Sequence, residues 1–336
     1  MNLRQFSKSN IIFFISILLS LAISGCQGDA PTKSKKRIGV LCGLDFLMPV
    51  KDGFVNEMAQ LGYHEGENIE YDLHFTNFEP EKERKIIQKF IDDKVDLIVT
   101  FPTEVSMLAK QMTEKTGIPF VFCFANIEET GLVESVSHPG GNVTGVRYPS
   151  PDLAIKRFEI MHELVPNMKK IVVPYQRGYP IVKIQMDALR PAAEAVGVTV
   201  EELPADNAEE LQKFYAKREK QKNIDIDAIL NIAETLGVTP AAFEANARFA
   251  YKHNIPLGGA YIEVGDYKPV FGVNVNMPMC GADAANLVNK IFNGAVPGST
   301  PVVSTESYFE INYTVAKKFG LRMSEGLLSL AQKVYR

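Results

Sequence analysis

The sequence predicts an α/β protein in which two doubly wound parallel sheets form two lobes. Short apolar runs typical of strands alternate with amphipathic runs typical of helices along most of the chain. This alternation breaks once, over residues 138–145, and then restarts. The 336 residues also exceed what one hydrophobic core of ordinary size holds. We therefore expect two α/β lobes with a cleft between them.

The first predicted lobe alternates four strands with three helices. Its strands are rich in Val, Ile, Leu and Phe, as expected where helices cover both faces of a sheet. Gly62 ends the first helix, and Pro80 opens the second, whose acidic first turn suits the positive end of the helix dipole. The predicted strands are 37–42, 68–75, 95–99 and 118–124, and the predicted helices lie at 54–61, 80–91 and 103–115.

The second predicted lobe begins after a tight turn. Pro139 and the two glycines that follow it turn the chain into a short strand. Helices and strands then alternate to residue 260, and a tail with further elements follows. The predicted helices are 152–165, 180–196, 207–221, 240–253 and 278–293, and the predicted strands are 170–174, 198–203, 227–232, 255–260, 270–275 and 308–312.

The first twenty-six residues have the pattern of a lipoprotein signal peptide. Two basic residues precede an apolar stretch over 11–23, which is too short to span a bilayer. A cysteine, Cys26, follows a Ser-Gly pair, as in a lipobox. We expect 1–25 to be removed, Cys26 to carry lipid and 26–36 to form a polar tether. This predicts a membrane-anchored lipoprotein in the periplasm or on the outer cell surface. The alternative is an ordinary signal peptide with an incidental cysteine.

The composition argues against several classes of function. The net charge is −4 and no basic cluster occurs, so no nucleic-acid partner is expected. Five scattered histidines give neither HExxH nor a zinc-binding spacing, and the sequence contains no GxSxG motif and no P-loop. We therefore expect no catalytic residue, no metal and no cofactor.

Three further cysteines, Cys42, Cys123 and Cys280, lie far apart and form no CxxC pair. An odd number of thiols cannot all pair within one chain. Cys42 and Cys123 lie in strand-like apolar runs, where cysteine behaves as a small apolar residue. Free structural thiols, one disulfide and a reactive site are the alternatives that the sequence leaves open.

Several short motifs resemble those of one known family. LGYHEGEN at 61–68 resembles its L-G-Y-x-E-G-x-N, and HPGGNVTG at 138–145 resembles its P-G-G-N-x-T-G. Three further matches are GLVES at 131–135, NGAVP at 293–297 and AKKFGL at 316–321. On these motifs, over about residues 37–330, the chain resembles the ABC-transporter substrate-binding proteins that include the tryptophan- and tyrosine-binding lipoproteins.

This resemblance implies a type I periplasmic-binding-protein fold, with two lobes joined by three crossovers and a ligand cleft between them. The N-terminal lobe would contain 37–147 and 272–303, and the C-terminal lobe 148–271 and 304–336. It also implies a solute-binding lipoprotein of an ABC uptake transporter that closes on a small molecule by a hinge motion, without enzymatic activity. The alternative is a ligand sensor that presents its bound state to a membrane sensor kinase. The expected protein is a monomer whose partners are the small-molecule ligand and a membrane permease, or that kinase.

The candidate ligand-binding residues follow the carboxyl ends of predicted strands, where open α/β sheets bind their ligands. Polar side chains there are candidates for hydrogen bonds, and aromatic rings for stacking on a flat ligand. Tyr148, beside the expected crossover, is interpreted as hinge packing. The predicted ligand-binding residues are Phe101, Thr103, Glu104, Asn126, Tyr175, Glu234, Thr235, Tyr261 and Glu263, with Tyr179 as a further aromatic candidate.

The predicted contact loops depart from the amino-acid binders of this family. Asn126 stands where those proteins usually have an aspartate able to hold an ammonium group. Phe101 and Tyr267 add aromatic rings at positions that those proteins fill with other residues. These replacements favour a small polar solute with a planar or apolar part over an ordinary α-amino acid.

Overall fold

The computed structural model describes residues 35–262 and 266–336. The predicted signal peptide, the lipidation site Cys26, nearly all of the predicted tether and the candidate residue Glu263 lie outside the described residues. Two sheets, each flanked by helices, make up the remainder of the chain.

The first sheet has six parallel strands. They are β1 (Lys36–Cys42), β2 (Ile69–Phe75), β3 (Leu97–Phe101), β4 (Phe120–Ala125), β5 (Val143–Arg147) and β11 (Val303–Ser304). Their order across the sheet is β11-β5-β4-β3-β1-β2, and each neighbouring pair is parallel. β3 and β4 are buried along their whole length, as their continuous apolar sequences predict.

Four helices pack beside the first sheet. They are α1 (Met48–Gln60), α2 (Pro80–Asp92), α3 (Thr103–Thr113) and α9 (Met277–Phe292). In α2 the buried apolar face consists of Ile86, Ile87 and Phe90, with the spacing of an amphipathic helix. Pro80 begins this helix because the first helical position needs no backbone N–H.

The second sheet has seven strands. They are β6 (Lys170–Gln176), β7 (Thr199–Ala205), β8 (Ala228–Asn231), β9 (Leu257–Gly259), β10 (Phe271–Val275), β12 (Ser307–Asn312) and β13 (Lys333–Tyr335). Their order is β13-β12-β10-β9-β8-β6-β7, and only the pair of β10 and β12 is antiparallel among these described strands. The remaining helices are α4 (Ser150–Leu164), α5 (Val182–Ala195), α6 (Ala208–Arg218), α7 (Thr235–Val238), α8 (Pro240–His253), α10 (Tyr313–Lys318) and α11 (Glu325–Leu330).

The chain passes between the two sheets three times, after β5, β10 and β11. The second passage corrects an expected lobe boundary. Residues 272–275 were expected in the N-terminal lobe, but β10 pairs with β9 and β12 of the second sheet. The passage to the first sheet follows Val275, where Asn276 caps the start of α9 through a hydrogen bond from the Met279 N–H at 3.1 Å.

Two glycines allow α1 and α9 to approach closely. A Cβ atom on Gly53 would lie 2.0 Å from the carbonyl oxygen of Pro278, and one on Gly281 would lie 1.9 Å from that of Val50. Both distances are far below van der Waals contact, so a larger side chain at either position would force the helices apart. This contact holds α9 on the first sheet immediately after the chain leaves the second.

The three described cysteines, Cys42, Cys123 and Cys280, are all buried and free. Of the three alternatives for these cysteines, the structure therefore has free thiols. The sulfur atoms of Cys123 and Cys280 lie 3.5 Å apart, and burial is the main cause that raises the pKa of the Cys123 thiol. The burial of both side chains suits a packing role.

Candidate functional site

A cleft of about 470 Å³ lies where loops at the carboxyl ends of strands from the two sheets meet. This volume includes space open to solvent, and the position is the one expected for ligands of open α/β sheets. The lining residues are Leu44, Phe46, Leu47, Pro102, Thr103, Glu104, Phe124, Asn126, Tyr148, Tyr179, Ile181, Ala233, Glu234, Thr235, Val238 and Tyr261.

The first sheet contributes a polar group of three residues to the cleft. Thr103 begins α3, and its hydroxyl oxygen accepts hydrogen bonds from the backbone N–H and the side-chain Nδ2 of Asn126, at 3.0 and 3.3 Å. These bonds leave Asn126 Oδ1 buried without a hydrogen-bond partner among the described residues. Both carboxylate oxygens of Glu104 are likewise buried and make no hydrogen bond of ordinary geometry. Three buried acceptor oxygens therefore line the cleft without a hydrogen bond of ordinary geometry.

Burial raises the pKa of Glu104 above its ordinary value. The hydroxyl of Tyr179, which belongs to the loop after β6 of the second sheet, partly offsets this effect. The pKa of Tyr179 is itself raised, first by burial and then by the nearby Glu104 charge. A positive charge next to Glu104 would favour the ionised carboxylate and relieve this cost.

Glu234 lines the cleft, but its carboxylate serves the backbone around it. It accepts hydrogen bonds from the backbone N–H groups of Gln176, Leu236 and Gly237 at 3.0, 2.8 and 2.5 Å. The residue is 5% exposed, and burial raises its pKa to about 7 in spite of these three bonds. Glu234 thus caps the short helix α7 and holds it against the end of β6.

Thr235, the next residue, also lines the cleft. Its hydroxyl donates to the side-chain oxygen of Gln176, which lies at the end of β6. The interaction adds a second link between the end of β6 and α7, so Thr235 contributes both to the cleft wall and to its support.

Aromatic rings from both sheets form the walls of the cleft. The rings of Phe46 and Tyr261 meet edge to face with centroids 5.0 Å apart, and those of Phe124 and Tyr148 lie 4.6 Å apart. Phe124 has a φ of +54°, in the left-handed region, at a register irregularity near the end of β4. A bulky residue rarely adopts this backbone conformation. At Phe124 the conformation occurs where the ring forms part of the cleft wall.

Arg157 supports this wall from the interior. It is 0% exposed and donates to the Val273 carbonyl at 2.9 Å, to Gln185 Oε1 at 3.4 Å and to the Tyr148 hydroxyl oxygen at 2.8 Å. Gln185 in turn donates to the Ala233 carbonyl at 2.8 Å. This network connects the crossover after β5 to the second sheet, as the interpretation of Tyr148 as a hinge-packing residue implies. The ring of Tyr148 also lines the cleft.

Six of the nine predicted ligand-binding residues line one cleft: Thr103, Glu104, Asn126, Glu234, Thr235 and Tyr261. Two predictions are not supported by this geometry. Phe101, at the end of β3, is 0% exposed, and its ring belongs to the buried apolar core. Tyr175 is outside the lining and donates to Glu202 Oε2 at 2.6 Å on the neighbouring strand. Glu263 is outside the described residues.

Sequence reasoning did not select several lining residues. Phe46 lies in a short 3₁₀ helix, Asp45–Leu47, after β1, and no local sequence pattern marked its ring as part of the cleft. Phe124 was hidden inside the apolar sequence of β4, because the backbone irregularity there has no marker such as glycine. Tyr179 was an aromatic candidate and does line the cleft.

Neither metal ligation nor membrane crossing is indicated in the described residues. No group of three or more His, Cys, Asp or Glu side chains is placed to hold a metal ion in the ranges 35–262 and 266–336. None of the helices in those same ranges combines the length and hydropathy of a membrane span.

Two α/β sheets, three crossovers and a cleft between the strand ends define the class of two-lobed solute-binding proteins. The chain belongs to the ABC transporter substrate-binding protein family, whose sequence model matches residues 38–335. The predicted family, fold class and solute-binding function are therefore confirmed. The prediction that the chain is not an enzyme is confirmed as well, because this is a family of binding proteins.

Known proteins agree with this assignment. The chain is 34% identical over 167 residues to a tyrosine-binding protein of Clostridioides difficile, an alignment that covers 48% of this chain and 47% of that relative. The match thus spans about half the length of the curated relative. A conserved domain protein from Vibrio cholerae is 25% identical with a TM-score of 0.77, over 90% of this chain and 100% of the other. A Streptococcus pneumonia protein in complex with L-Trp has the same fold, with a TM-score of 0.75, 23% identity and the same two coverages.

Proposed function

We propose that this ABC transporter substrate-binding protein captures a small polar solute with a planar, aromatic part and delivers it to a membrane permease. The single observation that carries this proposal is the cleft itself, which combines aromatic walls with buried acceptor oxygens that lack donors. A ligand that supplies donors and a flat ring would satisfy both features. The resemblance to a tyrosine-binding relative supports an aromatic solute.

Capture by hinge closure is supported by contacts that join the two sheets across the cleft. Phe46 from the first sheet meets Tyr261 from the second, and Lys183 Nζ lies 3.4 Å from Glu129 Oε2. We propose that residues 37–147 with 276–304 move as one lobe and 148–275 with 305–336 as the other. The free energy by which the ligand favours closure would then equal the difference between its binding free energies for the closed and the open forms.

A thermal-shift screen of the full-length protein in detergent tests solute capture. Aromatic amino acids, amines, acids and nucleobases would be compared with sugars. A ligand at one hundred times its dissociation constant adds about 2.7 kcal/mol to the free energy of unfolding. X-ray scattering should show a smaller radius of gyration with the same compound. Absence of any thermal shift or change in scattering across the series would contradict the proposal.

We further propose that the protein is held at a membrane outside the cytoplasm by lipid on Cys26, as the lipobox pattern favours. Cells expressing the protein or its Cys26→Ser variant would be labelled with a fatty-acid analogue and fractionated. The wild type should carry label and sediment with membranes, whereas the variant should lose both properties. A Cys26→Ser variant that still carries label would show that the lipid is attached elsewhere.

A further inference from the structure

The cleft has an excess of hydrogen-bond acceptors on the side of the first sheet. The two oxygens of Glu104 and the Oδ1 atom of Asn126 are buried and make no hydrogen bond of ordinary geometry among the described residues, although the Tyr179 hydroxyl lies close to Glu104. Asn126 is 1% exposed, and a buried amide oxygen without a donor is uncommon in folded proteins. A protonated primary amine carries three N–H donors and one positive charge. Its three donors match these three oxygens, and its charge matches the carboxylate.

The described lining offers no cationic side chain to pair with a ligand carboxylate. Of the described residues that form it, none is Lys, Arg or His. Arg157, a buried cation, lies behind Tyr148 and already donates to three acceptors. Glu104 lies in the first turn of α3, whose backbone N–H groups would otherwise suit an anion. A second carboxylate at that turn would meet a like charge in a poorly solvated site.

Aromatic side chains surround the space beside these acceptors. Phe46, Phe124, Tyr148 and Tyr261 present ring surfaces from both sheets. Aromatic rings attract a flat ligand ring by offset or edge-to-face contact and also stabilise a nearby cation. The cleft therefore combines an aromatic enclosure with a negative acceptor group at one side.

We propose that the ligand is an arylalkylamine, a flat ring joined to a protonated amine and lacking a carboxylate, and that Glu104 is its counter-ion. Asn126 Oδ1 accepts the remaining amine hydrogen bond, and closure over the ring brings Tyr179 and Tyr261 of the second sheet against it. This inference rests on the proposed function, since it names the class of solute that the same cleft binds.

Matched sets of compounds test the proposal by calorimetric titration of the full-length protein in detergent. Tyramine and tryptamine carry the amine alone, tyrosine and tryptophan add a carboxylate, and 4-hydroxyphenylpropionate and indole-3-propionate carry the carboxylate alone. We expect each amine to bind at least about tenfold more tightly than its amino acid, and the acids not to bind. Amino acids that bind as tightly as the amines, or acids that bind at all, would overturn this inference and leave solute capture intact. Absence of binding by every compound would count against both.

Two variants then test the role of Glu104. Glu104→Gln keeps the size of the side chain and removes its charge, so tyramine affinity should fall by about 10- to 100-fold, as expected for a lost charged hydrogen bond. Glu114→Gln makes the same chemical change at the exposed end of α3 and should leave the affinity unchanged. Equal tyramine affinity in Glu104→Gln and Glu114→Gln, with both variants folded by circular dichroism, would refute the assignment of Glu104 as counter-ion.

Discussion

Replacement of Glu234 by glutamine should change how the stability of the protein depends on pH. The Glu234 carboxylate is 5% exposed, and burial raises its pKa from 4.5 to about 7 although three backbone N–H groups donate to it. In the unfolded chain the same group ionises near its ordinary value. Between these two values the native state therefore holds a proton that the unfolded state has released.

The sign and size of the effect follow from this difference. A raised pKa in the native state gives a stabilisation that is complete below about pH 4.5 and is lost as the pH rises through about 7. A shift of about 2.5 pKa units corresponds to roughly 3 kcal/mol, at about 1.4 kcal/mol per unit. The free energy of unfolding should thus fall by roughly this amount across that range because of Glu234 alone.

Urea unfolding of the wild type and of Glu234→Gln, from about pH 4 to about pH 8, isolates this contribution. The variant should be less stable throughout, because an amide NH₂ replaces one oxygen that faces backbone donors, and its stability should depend less on pH. Glu209→Gln, an exposed glutamate in the first turn of α6, controls for the loss of one negative charge. If the difference between wild type and Glu234→Gln is constant over this range, burial does not perturb Glu234 and the reasoning fails.

Five further substitutions, which give three predictions, test the packing and the site. Gly281→Ala should destabilise the fold by about 1–3 kcal/mol in chemical unfolding, because its Cβ would lie 1.9 Å from a backbone oxygen. The control Gly326→Ala meets nothing closer than 3.7 Å and should be neutral or mildly stabilising. A destabilised Gly326→Ala would contradict this. In titrations, Tyr175→Phe should leave the affinity for a ligand of the cleft unchanged, whereas Tyr179→Phe should weaken it. Equal changes of affinity in the two variants would show that the ligand binds elsewhere. Arg157→Met should lower the stability by about 3–5 kcal/mol, because three buried acceptors lose their donor. A melting temperature equal to that of the wild type would show that the network contributes nothing.

Much of the fold was predictable because local sequence and tertiary structure agree. Helix α2 begins at its proline and buries the apolar stripe that the spacing of Ile86, Ile87 and Phe90 predicts. The sheet to which β10 belongs was not predictable, because its apolar sequence fits a central strand of either sheet. Only its pairing with β9 and β12 decides the matter.

The site was predictable to the level of loops, and less so to the level of side chains. Tyr175 and Tyr179 lie four residues apart near the same strand end, yet Tyr175 is engaged by Glu202 and Tyr179 lines the cleft. The difference depends on strand register between β6 and β7, which a single sequence does not report. Glu234 lines the cleft as predicted, but its capping of α7 depends on the direction of three backbone N–H groups.

The left-handed backbone at Phe124 restricts how the selectivity of this protein can be engineered. A β-branched or other bulky replacement there keeps the unfavourable φ of +54°, whose cost is about 1–2 kcal/mol, and a glycine removes the strain together with the ring. Libraries that vary this position would mix changes in recognition with changes in foldability. Phe46, which lies in a 3₁₀ helix and has no positive φ, offers a position where a new side chain alters the pocket without that confounding effect.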